Sequence, residues 1–221
     1  MTIRQLLNDN ILGQTTEAEF RWERFHPNTN PKSWREGDTT GSGVLYDLGV
    51  HFLDQVLCLF GMPNSINASI RNLRHGAQTD DYFHVSLGYS SGLIIQLKSS
   101  MLVREQGPRY VIHGTKGSYT KYGEDPQEQM LKQGLTPHSA GWGREPEENW
   151  GTLNTSMNEL HVVGRVETLA GSYQSYYENV RDCILGRAEL AVKPEEARMA
   201  IRLIELARLS NEQQRTVEVT R

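Results

Sequence analysis

The amino-acid sequence predicts an α+β fold, in which an open, mostly antiparallel β-sheet has helices packed on one face. Three observations predict it. Extended segments are grouped in the middle of the chain, helical patterns precede and follow them, and short turns containing Gly and Ser join neighbouring extended segments. Grouped strands with tight turns pair as antiparallel hairpins, whereas a parallel doubly wound sheet requires strands that alternate with helices.

The first third of the chain predicts a short helix, a strand and a longer helix. Residues 2–10 are amphipathic, and residues 17–25 alternate enough, with aromatic side chains, to indicate a half-buried strand. The polar segment 27–42 predicts a loop. Residues 45–60 then place apolar side chains at helical spacing, and Gly61 closes that pattern as a helix cap does.

The middle of the chain predicts five strands. Residues 90–92 and 114–117 are typical turn sequences, so the strands that they join are expected to form antiparallel hairpins. Within residues 93–97 apolar and polar positions alternate, but Ile94 makes the outer face partly apolar. An open sheet with such a face predicts a homodimer or tetramer formed through the β-sheet face. The predicted strands are 65–73, 81–89, 93–103, 109–113 and 118–122.

The remaining segments predict a long loop followed by two helices and an edge strand. Residues 124–160 are rich in Gly, Pro, Glu and Asn, and only 126–133 has the pattern of a short helix. Long loops inside compact domains are usually functional or contact a partner. The chain returns to helical patterns at 173–185 and 194–210, and residues 216–219 predict an edge strand.

Length and composition predict one domain, residues 1–221, and exclude several functional classes. Hydrophobic residues make up 37% and charged residues 23%, which is too ordinary for a disordered chain. Lys and Arg number 23 against 27 Asp and Glu, and this net charge of −4 disfavours nucleic acid or a membrane surface as a partner. The start of the chain lacks a secretory signal, so a cytoplasmic location is expected. Cys58 and Cys183 lie in apolar helical patterns, which predicts buried thiols and no disulfide framework.

The glycine spacing argues against a dinucleotide-binding domain in this chain. The G-x-G-x-x-G fingerprint must lie between a strand and a helix. Gly41 and Gly43 form a G-x-G, as do Gly141 and Gly143, but neither pair continues to the third glycine. The sequence therefore predicts no Rossmann domain, and strands grouped in the middle agree with that prediction.

One polar constellation has the spacing of an acid–base pair. Asp47 and His51 are four residues apart in the predicted helix 45–60, so their side chains are expected to lie on one face, with Asp54 nearby. A carboxylate one turn before an imidazole can set the tautomer that a general acid/base needs. The alternative is a solvated helix face with a hydrogen-bonded surface histidine. A metal site is disfavoured, because no second His lies at helical spacing there.

Several motifs occur together in one order. Segment 41–54 contains D-x-G-x-H-x-x-D and resembles the signature of the glucose-fructose oxidoreductase / inositol dehydrogenase / rhizopine catabolism group (Gfo/Idh/MocA). The similarity covers nearly the whole chain but only the C-terminal half of family members, whose Rossmann domain and catalytic Lys are absent from this sequence. The further matching motifs are Trp-Arg-Glu at 34–36, Ile-His-Gly-Thr-Lys-Gly-Ser at 112–118, Tyr-Tyr-Glu-Asn-Val at 176–180 and Lys-Pro-Glu-Glu-Ala at 193–197.

The resemblance implies a function and a role for six residues. It implies the substrate-side domain of an NAD(P)-dependent oxidoreductase that acts on a sugar, polyol or related hydroxy compound, with NAD or NADP bound mainly by a domain outside this chain. His51 would be the acid/base and Asp47 its partner. The other implied positions are Trp34 and Arg35 near the cofactor, and Arg24 and Tyr46 on the sugar side.

Other interpretations remain open at the level of sequence. Trp34 and Arg35 are equally compatible with packing or an interface, and Arg24 and Tyr46 with a surface cation and a packed aromatic ring. The chain could be inactive alone, or it could be a non-catalytic binding or oligomerisation module. Metal-dependent hydrolysis around His51 is a third function, and it would require a tightly bound metal.

Overall fold

The computed structural model, which describes residues 1–30 and 32–220, contains an open sheet of nine strands. The spatial order of the strands is β8-β7-β6-β5-β1-β4-β3-β2-β9. Every neighbouring pair is antiparallel except β1 with β4, which are parallel in the middle of the sheet. The strands are β1 (Thr15–Glu23), β2 (Ser65–Arg71), β3 (Tyr82–Gly88), β4 (Ile94–Ser100), β5 (Tyr110–Gly114), β6 (Gly117–Lys121), β7 (Gly151–Met157), β8 (Leu160–Val166) and β9 (Val217–Glu218).

In the described part of the chain five α-helices accompany the sheet, and two of them cover its central part. The longest, α5, packs against β2 and against α2. Its start is stabilised by the carboxylate of Glu196, which accepts a hydrogen bond from the Lys193 backbone N–H at 2.8 Å. The helices are α1 (Thr2–Asn8), α2 (Val50–Phe60), α3 (Gln127–Lys132), α4 (Tyr173–Ile184) and α5 (Pro194–Gln213). The α+β fold with a mostly antiparallel sheet is confirmed.

The hydrophobic core lies between the sheet and helices α2 and α5. Phe52 of α2 meets Phe20 of β1 edge to face, with ring centroids 6.0 Å apart. The predicted alternation along β4 is also confirmed, because Ile95 is fully buried whereas Ile94 is 47% exposed on the opposite face. The most completely buried apolar side chains of β3, β4 and α5 are Phe83, Val85, Leu87, Ile95, Leu97, Ala200, Leu203, Ile204 and Ala207.

The loop predicted at residues 124–160 is wrong at its C-terminal end. Strands β7 and β8 form a hairpin there, closed by a turn in which Asn158 has a φ of 55°. This hairpin extends the sheet beyond β6 as two further strands. The signal is weak because β7 has few apolar residues and β8 is largely exposed, so neither strand shows a strong alternation.

The two cysteines are the other difference from prediction. Cys58 of α2 is exposed and Cys183 of α4 is half-buried, and both are free thiols. The prediction of buried thiols is therefore wrong, because the outer face of α2 at Cys58 and most of α4 lie open.

A substitution at Gly151 of β7 tests its pairing with β6, because the ring of Tyr119 on β6 lies against Gly151. A Cβ atom at Gly151 would lie 2.2 Å from Cζ of the buried Tyr119, which packs across the strand over the glycine. We expect Gly151→Ala to lower the free energy of unfolding by about 1–3 kcal/mol, as overpacking does. Urea denaturation followed by circular dichroism measures it.

Gly164 of β8 provides the matched control, because nothing lies within 4 Å of a Cβ built there. Gly164→Ala should change the free energy of unfolding by no more than about 0.5 kcal/mol. Equal effects of the two substitutions would contradict the close packing of Tyr119 on Gly151.

Candidate active site

The candidate residues lie around a π-helical turn that precedes α2. Residues Leu45–Gly49 form this turn, which carries Asp47, and α2 begins at Val50, so that His51 lies in its first turn. The predicted α-helix is therefore wrong over its first five residues. A π turn holds more residues per turn than an α-helix, so Asp47 and His51 do not follow the simple i, i+4 geometry. Single π turns of this kind occur frequently at functional sites.

A buried carboxylate holds the π-helical turn in place. Asp80 Oδ2 accepts a hydrogen bond from the Leu45 N–H at 2.8 Å, and the Asp80 carbonyl accepts one from the Val44 N–H at 2.9 Å. Its other carboxylate oxygen is 2.8 Å from Nη2 of Arg208 on α5. Gly43 makes room for it, because Gly43 has a φ of 97° and a Cβ there would lie 2.3 Å from Asp80 Oδ1. Asp80 thereby fixes the turn to the sheet and to α5.

Burial dominates the ionisation of Asp80. The side chain is only 3% exposed. Desolvation raises the pKa of Asp80 above its usual value, and the Leu45 N–H and the Arg208 guanidinium oppose that increase without cancelling it. The carboxylate is thus held by specific donors at some cost in solvation.

Asp47 pairs with Arg35. Nε of Arg35 lies 3.0 Å from Asp47 Oδ1, and the Arg35 carbonyl accepts a hydrogen bond from the Gly43 N–H at 2.9 Å. Arg35 also stacks on its neighbour, with Cζ 5.4 Å from the ring centroid of Trp34. Within the described residues no hydrogen bond joins Asp47 to His51. The expected partner of the Asp47 carboxylate was His51, whereas the observed partner is Arg35.

His51 is exposed and not sealed in the core. Its ring centroid lies 6.0 Å from that of Trp22 on β1, and the two planes are tilted by 51°. The same indole lies 6.2 Å from the ring of Phe52. The imidazole is thus positioned from one side by an aromatic ring and is open to solvent and to ligands on the other.

A second ion network positions the short 3-10 turn Trp34–Glu36. The buried Arg74 places Nε 2.9 Å from the carboxylate of Asp81, and its Nη2 lies 3.3 Å from Glu36. Its Nη1 donates to the backbone carbonyls of His26 and Asn28 at 3.3 and 3.2 Å. Because every end of the guanidinium is occupied, Arg74 is a structural cation that anchors the loop carrying Arg35.

A cavity of about 190 Å³ joins part of this set. Its lining includes Arg24, Arg35 and Asp47, together with Arg74 and Asp80. Of the six predicted site residues, the structure thus brings three around one cavity. Trp34, Tyr46 and His51 lie outside its lining, and the ring of Tyr46 instead lies 5.0 Å from Arg208 Cζ.

The chain matches one protein family along almost its whole length. Residues 4–219 match the family described as "Oxidoreductase family, C-terminal alpha/beta domain" of the Gfo/Idh/MocA group. The chain belongs to this family. The resemblance inferred from the motifs is confirmed, and the match extends over almost all of the sequence.

Members of the family with known sequences and structures resemble the chain closely. It is 39% identical over 206 residues to the uncharacterized oxidoreductase YdgJ of Escherichia coli K12, covering 93% of this chain and 58% of that protein. It is 37% identical over 217 residues to scyllo-inositol 2-dehydrogenase (NADP(+)) IolW of Bacillus subtilis 168, covering 98% and 60%. The solved structure of yvaA from Bacillus subtilis gives a TM-score of 0.93 at 36% identity, over 99% of this chain and 62% of that one. The chain therefore spans about three-fifths of these relatives.

Metal-binding clusters and membrane-spanning helices were both sought among the described residues. Among residues 1–30 and 32–220, no group of three or more His, Cys, Asp or Glu side chains could hold a metal ion. Over the same residues, none of the helices combines the length and apolar character needed to span a bilayer.

The residues that organise the family signature were not predictable from local sequence patterns. Asp80 and Arg208 lie 35 and 163 residues from Leu45, so no local pattern connects them. Adjacent carboxylates at Asp80 and Asp81, at the start of the predicted strand 81–89, were the available signal, because acidic residues entering a core usually have partners. Trp22 was visible only as an aromatic residue of β1.

Asp80 gives a prediction about stability and pH. A carboxyl whose pKa is raised on folding favours the folded state when protonated, and this contribution is lost as the pH rises through the raised pKa. Asp80→Asn retains an acceptor for the Leu45 N–H but removes the titration. The unfolding free energy of the wild type minus that of the variant should therefore decrease as the pH rises from about 4 towards neutrality.

Urea denaturation of both proteins across that pH range measures the difference. An increase of the difference with pH would mean that Arg208 and the Leu45 N–H outweigh burial, and it would contradict the raised pKa.

Proposed function

We propose that this chain is the substrate-side domain of an NAD(P)-dependent oxidoreductase acting on a sugar, polyol or related hydroxy compound. The observation that carries the proposal is an accessible His51 next to a π-helical turn whose Asp47 is oriented by Arg35. The name of the relative IolW, an NADP(+)-dependent scyllo-inositol 2-dehydrogenase, supports this class of substrate. The chain alone is proposed to be inactive.

In the proposed reaction His51 takes the proton of the reacting hydroxyl. Oxidation of a secondary alcohol to a ketone removes a hydride from carbon and a proton from oxygen, and an imidazole near neutral pH suits the second task. A bound nicotinamide would supply the hydride acceptor. Arg24 and Tyr46 are proposed to bind the sugar side, where Arg24 lines the same cavity as Asp47.

The Arg35–Asp47 pair acts through orientation in this proposal. Both side chains are partly exposed, and such ion pairs contribute only about 0–1 kcal/mol of stability. The pair instead ties the loop of Trp34 to the turn before His51. It leaves a carboxylate of fixed direction beside the cavity, where it can accept a hydrogen bond from a substrate hydroxyl.

The residues present fit one edge of a nicotinamide cofactor. Trp34 is 65% exposed and stacks on Arg35, so the pair offers a flat surface and a cation to a planar, anionic group. The sequence contains no glycine-rich loop that would cradle a pyrophosphate. We propose that Trp34 and Arg35 contact NAD or NADP and that most of its binding energy comes from a domain outside this chain.

Helix α4 supports a partner domain. None of its residues is buried, although one face carries large apolar side chains. Tyr177 is 71% exposed and Ile184 79%. Several large apolar side chains exposed together on one face usually mark an interaction surface. Because the relatives are longer than this chain, we propose that this face packs against the cofactor-binding portion.

The outer face of the sheet supports a second role, in oligomerisation. On this face Ile94 of β4 is 47% exposed, and His84 of the neighbouring strand β3 is exposed as well. A homodimer or tetramer through the β-sheet face is therefore proposed, either as part of the enzyme or as the role of a non-catalytic module.

Substitution of His51 tests the catalytic proposal. The protein used is a chimera, in which the part of IolW that precedes the matching region is joined to the start of this chain. His51→Ala should lower turnover by about 10²–10⁴-fold, as expected for an acid/base, and leave cofactor affinity unchanged. His75→Ala, an exposed histidine in the loop after β2, is the control and should retain activity. Unchanged turnover in the His51→Ala variant would remove His51 from the mechanism.

Calorimetric titration of the chain alone with NADH tests the proposal that most of the cofactor's binding energy comes from a domain outside this chain. We expect no micromolar binding of NADH.

A substitution at Ile94 tests the proposed oligomerisation through the sheet face. Light scattering should give at least twice the 25.1 kDa of one chain at micromolar concentrations. Ile94→Glu should shift the protein towards monomer, because it buries a charge in the interface. Leu73→Glu, at a residue of similar exposure beyond the end of β2, should not. A wild-type monomer throughout this range would contradict the proposed interface.

A further inference from the structure

We propose that the corner formed by Trp22, Arg109 and His51 binds an anionic group of the substrate, a carboxylate or a phosphate. Its assignment to the substrate rests on the proposed function, since His51 is the acid/base there. The binding site itself stands on separate observations, namely two guanidinium groups on one indole and buried donors that lack acceptors.

Two arginines stack on the ring of Trp22. Cζ of Arg109 lies 3.6 Å from the indole centroid, and Cζ of Arg24 lies 5.2 Å from it. Arg109 enters from the start of β5, where its carbonyl accepts a hydrogen bond from the Arg21 N–H at 2.9 Å. The indole ring is also the neighbour of His51. Two positive charges are thus held beside the proposed acid/base by a rigid aromatic surface.

Arg109 is buried but poorly partnered. It is 9% exposed, and its Nε and Nη1 have no hydrogen-bond partner among the described residues. The closest carboxylate oxygen, on Glu124, is 3.6 Å from Nη1, which is too long for a hydrogen bond, and that side chain is 54% exposed. The Nε1 of Trp22 is a further buried donor without a partner.

All of these unpartnered groups are donors. A buried cation with no acceptor is costly, and proteins normally supply one. Arg74 shows the usual solution in the same molecule, because its guanidinium is fully occupied by carboxylates and carbonyls. By contrast, Arg109 is a cation whose hydrogen-bond acceptor is supplied by a bound ligand. The planar fork of arginine matches the two oxygens of a carboxylate or a phosphate.

Distance links this corner to the reacting position. The ring centroids of Trp22 and His51 are 6.0 Å apart, and Cζ of Arg109 lies 3.6 Å from the same indole centroid. A ligand that spans both groups therefore carries an oxyanion a few carbon atoms from its reacting hydroxyl. A hydroxy acid, sugar acid or sugar phosphate has this arrangement. Glu124 is the group that such an anion would displace from Arg109.

Titration calorimetry of the chain with three probes tests the site. D-gluconate and inorganic phosphate represent the two sources of an oxyanion, and myo-inositol is a neutral polyol. Wild type should bind at least one of the anions more tightly than myo-inositol, and the tighter anion identifies the source. Arg109→Met keeps the apolar contact with Trp22 and should weaken anion binding by about tenfold or more.

Two further variants keep the test decisive if Arg109→Met fails to fold. Glu124→Gln removes the exposed competing carboxylate and should strengthen anion binding. Arg104→Met is the matched control, because Arg104 stacks on Phe25, with Cζ 3.8 Å from the ring centroid, and not on Trp22, and it should have no effect.

The outcomes separate this inference from the proposed function. Equal binding of all three probes, no binding of either anion, or unchanged anion binding in both the Arg109 and Glu124 variants would overturn the anion site. Anion binding that responds as expected, together with full turnover of the His51→Ala chimera, would overturn the catalytic proposal and leave the binding site standing.

Discussion

The buried carboxylate of Asp80 is the interaction on which the candidate site depends. It connects three parts of the chain that are distant in sequence, namely the turn at Leu45, the start of β3 and helix α5. Without an acceptor at that point, the Leu45 N–H at the start of the turn would be left unpaired in a buried environment, which costs about 1–3 kcal/mol. The geometry of Asp47 and His51 therefore follows from a group that touches neither side chain.

The surrounding charges divide into those that build the site and those that face it. Asp80 pairs with Arg208 and Asp81 with Arg74, and both carboxylates also accept hydrogen bonds from the backbone, so these groups fix the loop and the turn. Arg35 and Asp47 lie closer to solvent and present their free edges to the cavity. Such a division is expected of a binding site, where supporting residues restrain a few exposed ones. It explains how an exposed ion pair, which adds little stability, can still hold a defined direction.

The regular elements were predictable from sequence, and the details of the site were not. Periodicity located the helix through Phe60, the strands around β4 and helix α5, because each buries one continuous face. The β7–β8 hairpin was not predicted, because its side chains are mostly exposed and β7 joins the sheet by pairing with β6, which is distant in sequence. Spacing predicted Asp47 and His51 on one helical face, but the π turn and the contact of Asp47 with Arg35 depend on tertiary neighbours. Local spacing alone describes a straight helix.

The choice of a charged anchor at Asp80 has a physical reason. An apolar side chain of similar size would avoid the desolvation cost, and replacing buried ion pairs in this way often preserves or raises stability. It could not, however, accept hydrogen bonds from the Leu45 N–H, and packing alone would allow the segment to continue as an ordinary α-helix. A directional acceptor selects one backbone arrangement among several of similar compactness. The turn that aims Asp47 at the cavity therefore requires a polar group at this buried position, even at the cost of some stability.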